Sequence, residues 1–295
     1  MPKPQRDPDL FLVDVFAERP YSGNQLAVVV GAPAALWPSE RMQAFAREMN
    51  FSETTFALPT PDGGAYDVRI FTPAEELPFA GHPTLGTAWV LRHHYDGAAS
   101  GLSLRLGVGV VPVEFEEDDG RELVRMRPRS PELGAVMDNA AMASCLGLDA
   151  GAIDTRHPCR RVNIGVEFVI VPLRDLASLR AARPTSLPAG EPGRMLGVLA
   201  FAPETYEPGG DVAARVFFEA GGIREDPATG SAAGCLAAWL SAERYFGGAT
   251  LTARVQQGYE MGRPSCLYIG AEPRGEGFAV NVAGKVQLVA RGTVA

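Results

Sequence analysis

The sequence predicts an α+β protein made of two similar halves. Strand-like alternation dominates both halves with few helical stretches between, and one supersecondary plan occurs twice. The segments "RIFTP…FAGHPTLGTAWVL" (69–91) and "RVFFE…PATGSAAGCLAAWL" (215–240) share it. Each starts a strand with Arg, a β-branched residue and Phe, passes through a loop to glycine, and enters a small-residue helix ending in Trp and Leu. The length of 295 residues exceeds the common single-domain size, which suits a duplicated domain with a cleft between the copies.

"LFLVDVFA" (10–17) and "QLAVVVGA" (25–32) alternate as strands. "ERPYSGN" between them carries turn chemistry, so a β-hairpin opens the chain. Pro38, Ser39 and Glu40 suit a helix start, and Met42, Phe45, Ala46 and Met49 recur at helical spacing, which predicts a helix with one face turned inward. "SETTFALP" (52–59) and "YDVRIFTP" (66–73) return to strand, separated by a Pro-Asp-Gly-Gly turn at 61–64. "TLGTAWVLRHHY" (84–95) is a second helix. Strands follow at "LSLRLGVGVVPVEFE" (102–116) and "ELVRMRP" (122–128), and the acidic "EEDDG" (116–120) joining them reads as a solvated turn. The second half repeats the order: strands in "RVNIGVEFVIVPL" (161–173), a short helix in "RDLASLRAA" (174–182) and a loop at "SLPAGEPGR" (186–194). Strands "RMLGVLAFAP" (194–203) and "ARVFFEA" (214–220) come next, then an acidic loop feeding a helix near Gly230. The expected domains are 1–118, completed by the closing strands within 278–295, and 119–277.

The formal net charge of −8 argues against nucleic acid or an anionic membrane as the main partner, without excluding a small anionic substrate. "MPKPQRDPDLFLVDVF" lacks the apolar stretch of a signal peptide and no segment approaches a membrane span, so a cytoplasmic protein is expected. Cys145, Cys159, Cys235 and Cys266 are scattered without CxxC or Cys/His pairing. Neither a metal site nor a disulfide framework is signalled.

Two places carry chemistry. A helix N-terminus presents unpaired amide donors and a partial positive charge, and glycine there lets a ligand approach the backbone. Gly81 precedes the first small-residue helix, and Gly230 with Ser231 opens the second, so two such ends across a cleft would grip an anion. His82 and Asp226 stand beside them as titratable groups for proton transfer. Asp226 reads equally as a capping carboxylate, and a lone His82 reads first as a ring hydrogen-bonded to backbone. Glu53, in "NFSETTF", sits among apolar and hydroxyl residues, where desolvation would move a carboxylate toward useful acid/base strength. An exposed strand position is the equal alternative.

Together, "VDVFAERPYSGNQLAVV" (13–29), "NFSETTF" (50–56), "FTPAEELPFAGHPTLGTAWVL" (71–91), "GIREDPATGSA" (222–232) and "VQQGYEMGRPS" (255–265) resemble the PhzF-like family, the phenazine-biosynthesis isomerase group, over nearly the whole chain. The resemblance implies the diaminopimelate epimerase-like fold, two pseudo-symmetric domains each with a β-sheet curled around a central helix. It implies Glu53 as the main proton-transferring carboxylate, His82 and Asp226 as polar partners, and Gly81 with Gly230–Ser231 as donors to a substrate carboxylate. It further implies a homodimer, a small amino-acid-like carboxylate as substrate, and no metal or organic cofactor. Related racemases and epimerases typically place one cysteine at each helix start, whereas "AGHPT" and "ATGSA" hold no thiol, and Cys235 falls inside the helix as a core residue. Tyr21, Phe79 and Tyr259 are candidates for a ring pocket and equally ordinary core aromatics. A dehydratase or racemase-like enzyme on the same cleft, or a noncatalytic binding protein retaining the fold, are the alternative readings.

Overall fold

The computed structural model describes residues 7–31, 37–59, 66–97, 100–188, 190, 196–219, 223–275 and 277–294. The turn expected at 61–64 and part of the loop at 186–194 lie outside them. The chain divides into two compact units, Met1–Met126 with Gly284–Ala295, and Arg127–Ala283.

In the first unit, β1 (Asp9–Val15) and β2 (Asn24–Val30) form the opening hairpin, with Val13 opposite Leu26. Helix α1 (Ser39–Met49) then leads to β3 (Glu53–Pro59), parallel to β2. Its inward Met42 and Ala46 pack with Val29, Trp37, Phe56 and Phe71. Asn50 ends the helix at φ 52°, its N–H bonded to the Ala46 carbonyl, which is the left-handed stop that Asn tolerates. Strand β4 (Tyr66–Phe71) pairs antiparallel to β3 and to the short β5 (Glu76–Leu77). Helix α2 (Gly81–His94) follows, then β6 (Gly101–Leu106), parallel to β4. A meander through β7 (Gly109–Asp118) and β8 (Arg121–Met126) closes this stretch.

Helix α2 begins at Gly81, three residues before the predicted Thr84. Pro83 is tolerated because it lies in the first turn, where the N–H it lacks has no helical partner to lose. The helix is buried from Gly81 through Ala88 and packs against β1, β2, β3, β6, β7 and β8. Its small residues are what a strand layer curled around a helix requires. At Gly86 a Cβ would stand 2.6 Å from Leu26 Cδ2 and 2.7 Å from Val15 Cγ2.

The second unit opens with β9 (Glu132–Val136) and α3 (Asn139–Cys145), two additions to the predicted elements. Strands β10 (Arg160–Asn163) and β11 (Glu167–Pro172) form a hairpin, and α4 (Leu176–Ala181) leads to β12 (Leu196–Ala202), parallel to β11. Strand β13 (Val212–Glu219) pairs antiparallel to β12 and to β14 (Ile223–Asp226), which replaces the expected acidic loop. Helix α5 (Gly230–Ala242), buried over almost its full length, packs against β10, β11, β12, β15 (Leu251–Gln257) and β16 (Ser265–Arg274). Strand β15 runs parallel to β13, and β16 pairs with β15 and with β17 (Gly277–Gly284).

The closing strand β18 (Val286–Thr293) returns to the first unit, with Asp9 opposite Thr293 on β1. The unit boundary at 126/127, rather than 118/119, follows from β8 completing the hairpin with β7, where Val113 faces Met126. The return at 284, rather than 278, follows from β17 pairing along β16, where Tyr268 faces Ala283. Each unit has the same internal order: parallel pair, two antiparallel steps, a buried helix, then a strand parallel to the one two before that helix. No helix among the described residues is long and apolar enough to cross a membrane.

Candidate active site

In the first unit the left-handed stop at Asn50 turns the chain so that Glu53 is the first residue of β3, opposite Leu26. His82 is the second residue of α2 and is 4% exposed. The fold brings them together, with Glu53 Oε2 3.4 Å from His82 Nε2. Burial pushes the imidazole down to about 3, and a hydrogen bond with the Gln25 backbone only partly opposes this, so the ring is neutral at neutral pH. The contact is therefore a carboxyl against a neutral imidazole, one step short of a hydrogen bond, and Nε2 has no hydrogen-bond partner among the described residues. Thr55, two residues along β3 and on the Glu53 face, hydrogen-bonds Thr87 of α2 at 2.8 Å, which fixes the spacing of strand and helix behind the pair. Helix α2 starts after Ala80, with neither a capping side chain nor an acidic residue in its first turn, and Gly81 is its first residue.

The second unit holds Asp226, Gly230 and Ser231. Asp226 ends β14, partly buried, and Thr229 Oγ1 donates to its Oδ2 at 2.5 Å. Gln257, the last residue of β15, donates from Nε2 to the Asp226 carbonyl at 2.7 Å. Gly230 is buried and Ser231 partly so at the first two positions of α5, where Thr229 is the N-cap residue yet makes no side-chain cap bond. As in α2, the first turn contains no acidic residue.

Alternate residues of a strand face opposite ways, and β14 uses this to separate its two carboxylates. Glu225 accepts a bidentate pair from buried Arg215, 2.8 Å to Nε and 2.7 Å to Nη2. Arg215 also donates to the carbonyls of Leu179 and Ala182, and Glu260 lies 3.8 Å from it. Tyr206 donates to Glu260 and stacks on Tyr259 with ring centroids 4.1 Å apart. Tyr259 is thus part of this anchor, Phe79 is half-buried, and Tyr21 is 73% exposed, which removes it from the core.

Cys235 is buried inside α5 and Cys159 in the unit core; burial pushes both thiols up, Cys159 to about 12, so neither is a thiolate base at neutral pH. Among the described residues no group of three His, Cys, Asp or Glu side chains is arranged to hold a metal ion. Sequence reasoning missed Thr229, Gln257 and Arg215. Only the polar Gln256–Gln257 pair beside Gly258, at the end of a strand, hinted at the second.

Two units of one topology, each with strands curled on a buried helix that starts at glycine, define the diaminopimelate epimerase-like fold. A probable proline racemase from Agrobacterium radiobacter K84 shares that fold alone, with TM-score 0.60 and 13% identity over 98% of this chain and 93% of that one. The phenazine biosynthesis-like protein family (PhzC-PhzF) matches residues 13–292, and the chain belongs to it. The trans-2,3-dihydro-3-hydroxyanthranilate isomerase of Pseudomonas fluorescens is 36% identical, covering 96% of this chain and 98% of the relative. The PhzF-family phenazine biosynthesis protein of Bacillus anthracis superimposes with TM-score 0.86 at 25% identity, over 99% of this chain and 100% of that one. The chain is accordingly an isomerase of the PhzF type.

Proposed function

We propose that this isomerase works without a cofactor, moving a proton from one carbon to another of a small carboxylated, amino-acid-like substrate. Glu53 takes the proton as a carboxylate and returns it as a carboxylic acid, ending as it began. His82 and Asp226 are polar partners of the transfer. The amides of Gly81 and of Gly230–Ser231 hold the substrate carboxylate, as helix starts without caps or acidic first-turn residues are suited to do. The approach of Glu53 Oε2 to the buried, neutral His82 Nε2 carries this reading. A neutral ring that donates its one N–H to the Gln25 backbone leaves Nε2 as an acceptor for the protonated Glu53 carboxyl, which an imidazolium cannot be. The net charge of −8 supports a small molecule over nucleic acid as partner.

The name of the Pseudomonas relative makes trans-2,3-dihydro-3-hydroxyanthranilate the first compound to test, in deuterium oxide by proton NMR. Wild type incorporates deuterium at carbon and forms an isomer; Glu53→Gln loses about 10²- to 10⁴-fold of that rate. Equal exchange by the variant would remove Glu53 from the chemistry. Loss of water from the substrate would replace isomerase by dehydratase.

A further inference from the structure

We infer that Thr229 and Gln257 are positioning residues that aim the Asp226 carboxylate and hold the start of α5 open; the inference rests on the proposed role of Asp226. Gln257 is 1% exposed, and its orientation is fixed from both ends of its amide. Oε1 accepts from the Thr229 backbone N–H at 3.3 Å, so Nε2 points to the Asp226 carbonyl at 2.7 Å and to Thr229 Oγ1 at 3.3 Å. The Thr229 hydroxyl donates to Asp226 Oδ2, and its lone pair receives the Gln257 N–H. A directed chain results: Gln257 N–H to Thr229 O–H to Asp226.

This chain has a second effect. An N-cap threonine ordinarily turns its oxygen onto the amides of its own helix. Here that oxygen is engaged by Gln257 and Asp226, and Thr229 makes no side-chain cap bond. The first-turn amides of α5, beginning at Gly230 and Ser231, are left to a ligand. Gly258 brings the segment after Gln257 against Pro227, since a Cβ there would sit 2.5 Å from the Pro227 carbonyl oxygen. The turn between Asp226 and Thr229 is therefore held by backbone packing as well as by the Gln257 amide.

The test compares Thr229→Val, which keeps shape and removes the hydroxyl, with Thr229→Ser, which returns it. With trans-2,3-dihydro-3-hydroxyanthranilate, Thr229→Val lowers kcat by about 10- to 100-fold with KM within about threefold, as expected for losing a hydrogen bond to a charged group. Thr229→Ser restores kcat to within about threefold of wild type. In parallel, the carbon-13 resonance of the Asp226 carboxyl is recorded in all three proteins. It moves in Thr229→Val and stays in Thr229→Ser. An unmoved resonance in Thr229→Val overturns the positioning role whatever the activity, as does an unchanged kcat in an active enzyme. If wild type leaves the compound unchanged while the resonance moves as described, the positioning stands and the substrate reading fails.

Discussion

Converting His82 to glutamine should flatten the acid side of the stability curve. His82 is fully enclosed and its folded value lies near 3, against an unfolded value of 6.5. Between those limits the unfolded chain binds a proton that the folded chain refuses, so folding free energy falls as pH falls through 6.5 toward 3. Going from pH 8 to pH 5, this group alone removes about 2 kcal/mol, and its ceiling below pH 3 is about 5 kcal/mol. His82→Gln keeps a polar side chain and deletes the titration. Urea unfolding of both proteins at pH 8, 7, 6 and 5 gives two stability profiles, and their difference cancels His93, His94, His157 and the carboxylates common to both. Wild type should lose about 2 kcal/mol more than the variant across that range, whatever the offset between them at pH 8. Parallel profiles, agreeing within about 0.5 kcal/mol, would mean that His82 accepts a proton in the fold. Burial would then not be what keeps the ring neutral beside Glu53.

Other consequences concern the scaffold. Arg215→Met leaves Glu225 without its bidentate partner and should cost about 3–5 kcal/mol in urea unfolding, whereas Arg215→Met with Glu225→Met together should cost less than the single change. A cost below about 1 kcal/mol would show the pair to be screened by water. Gly258→Ala and Gly120→Ala share a positive φ, +81° and +71°, but only the first puts a Cβ against backbone, 2.4 Å from the Arg263 carbonyl oxygen. Gly120→Ala should cost about 1–2 kcal/mol from φ alone and Gly258→Ala clearly more, and equal melting temperatures would refute the packing argument.

The two buried helices were legible because close approach to strands on several sides admits only small residues, and that demand leaves a compositional trace in "TLGTA" and "GSAAGCLAA". The start of α2 was less so. Pro83 reads as a boundary from the sequence, yet in a first turn it costs nothing. Strand β14 was hidden because four residues with two adjacent acids carry no usable period. Without that strand, Glu225 and Asp226 look like one acidic pair, although one is tied to Arg215 and the other to Thr229. Gln257 left only the trace of a polar pair before Gly258, and its role could not be read. Its partners lie 28 and 31 residues away in sequence, and nothing local marks a glutamine that ends a strand as a clamp.

The repeated topology also bears on which chemistry suits the site. Helices α2 and α5 occupy equivalent places, and each starts with glycine, so duplication has kept the amide donors in both copies. Among the described residues the ionisable groups are not duplicated. The second helical position is His82 in one unit and Ser231 in the other; β3 starts with Glu53 and its counterpart β12 with Leu196. Strand β14 ends in Asp226, whereas its counterpart β5 ends in Leu77. An enzyme that inverts a carbon with two matched bases needs equivalent proton-carrying groups in the two copies, as thiols at both helix starts would supply. This chain has an amide pair that repeats and a carboxyl–imidazole pair that does not. That asymmetry supports the proposed reaction, in which one base, Glu53, both removes and returns the proton.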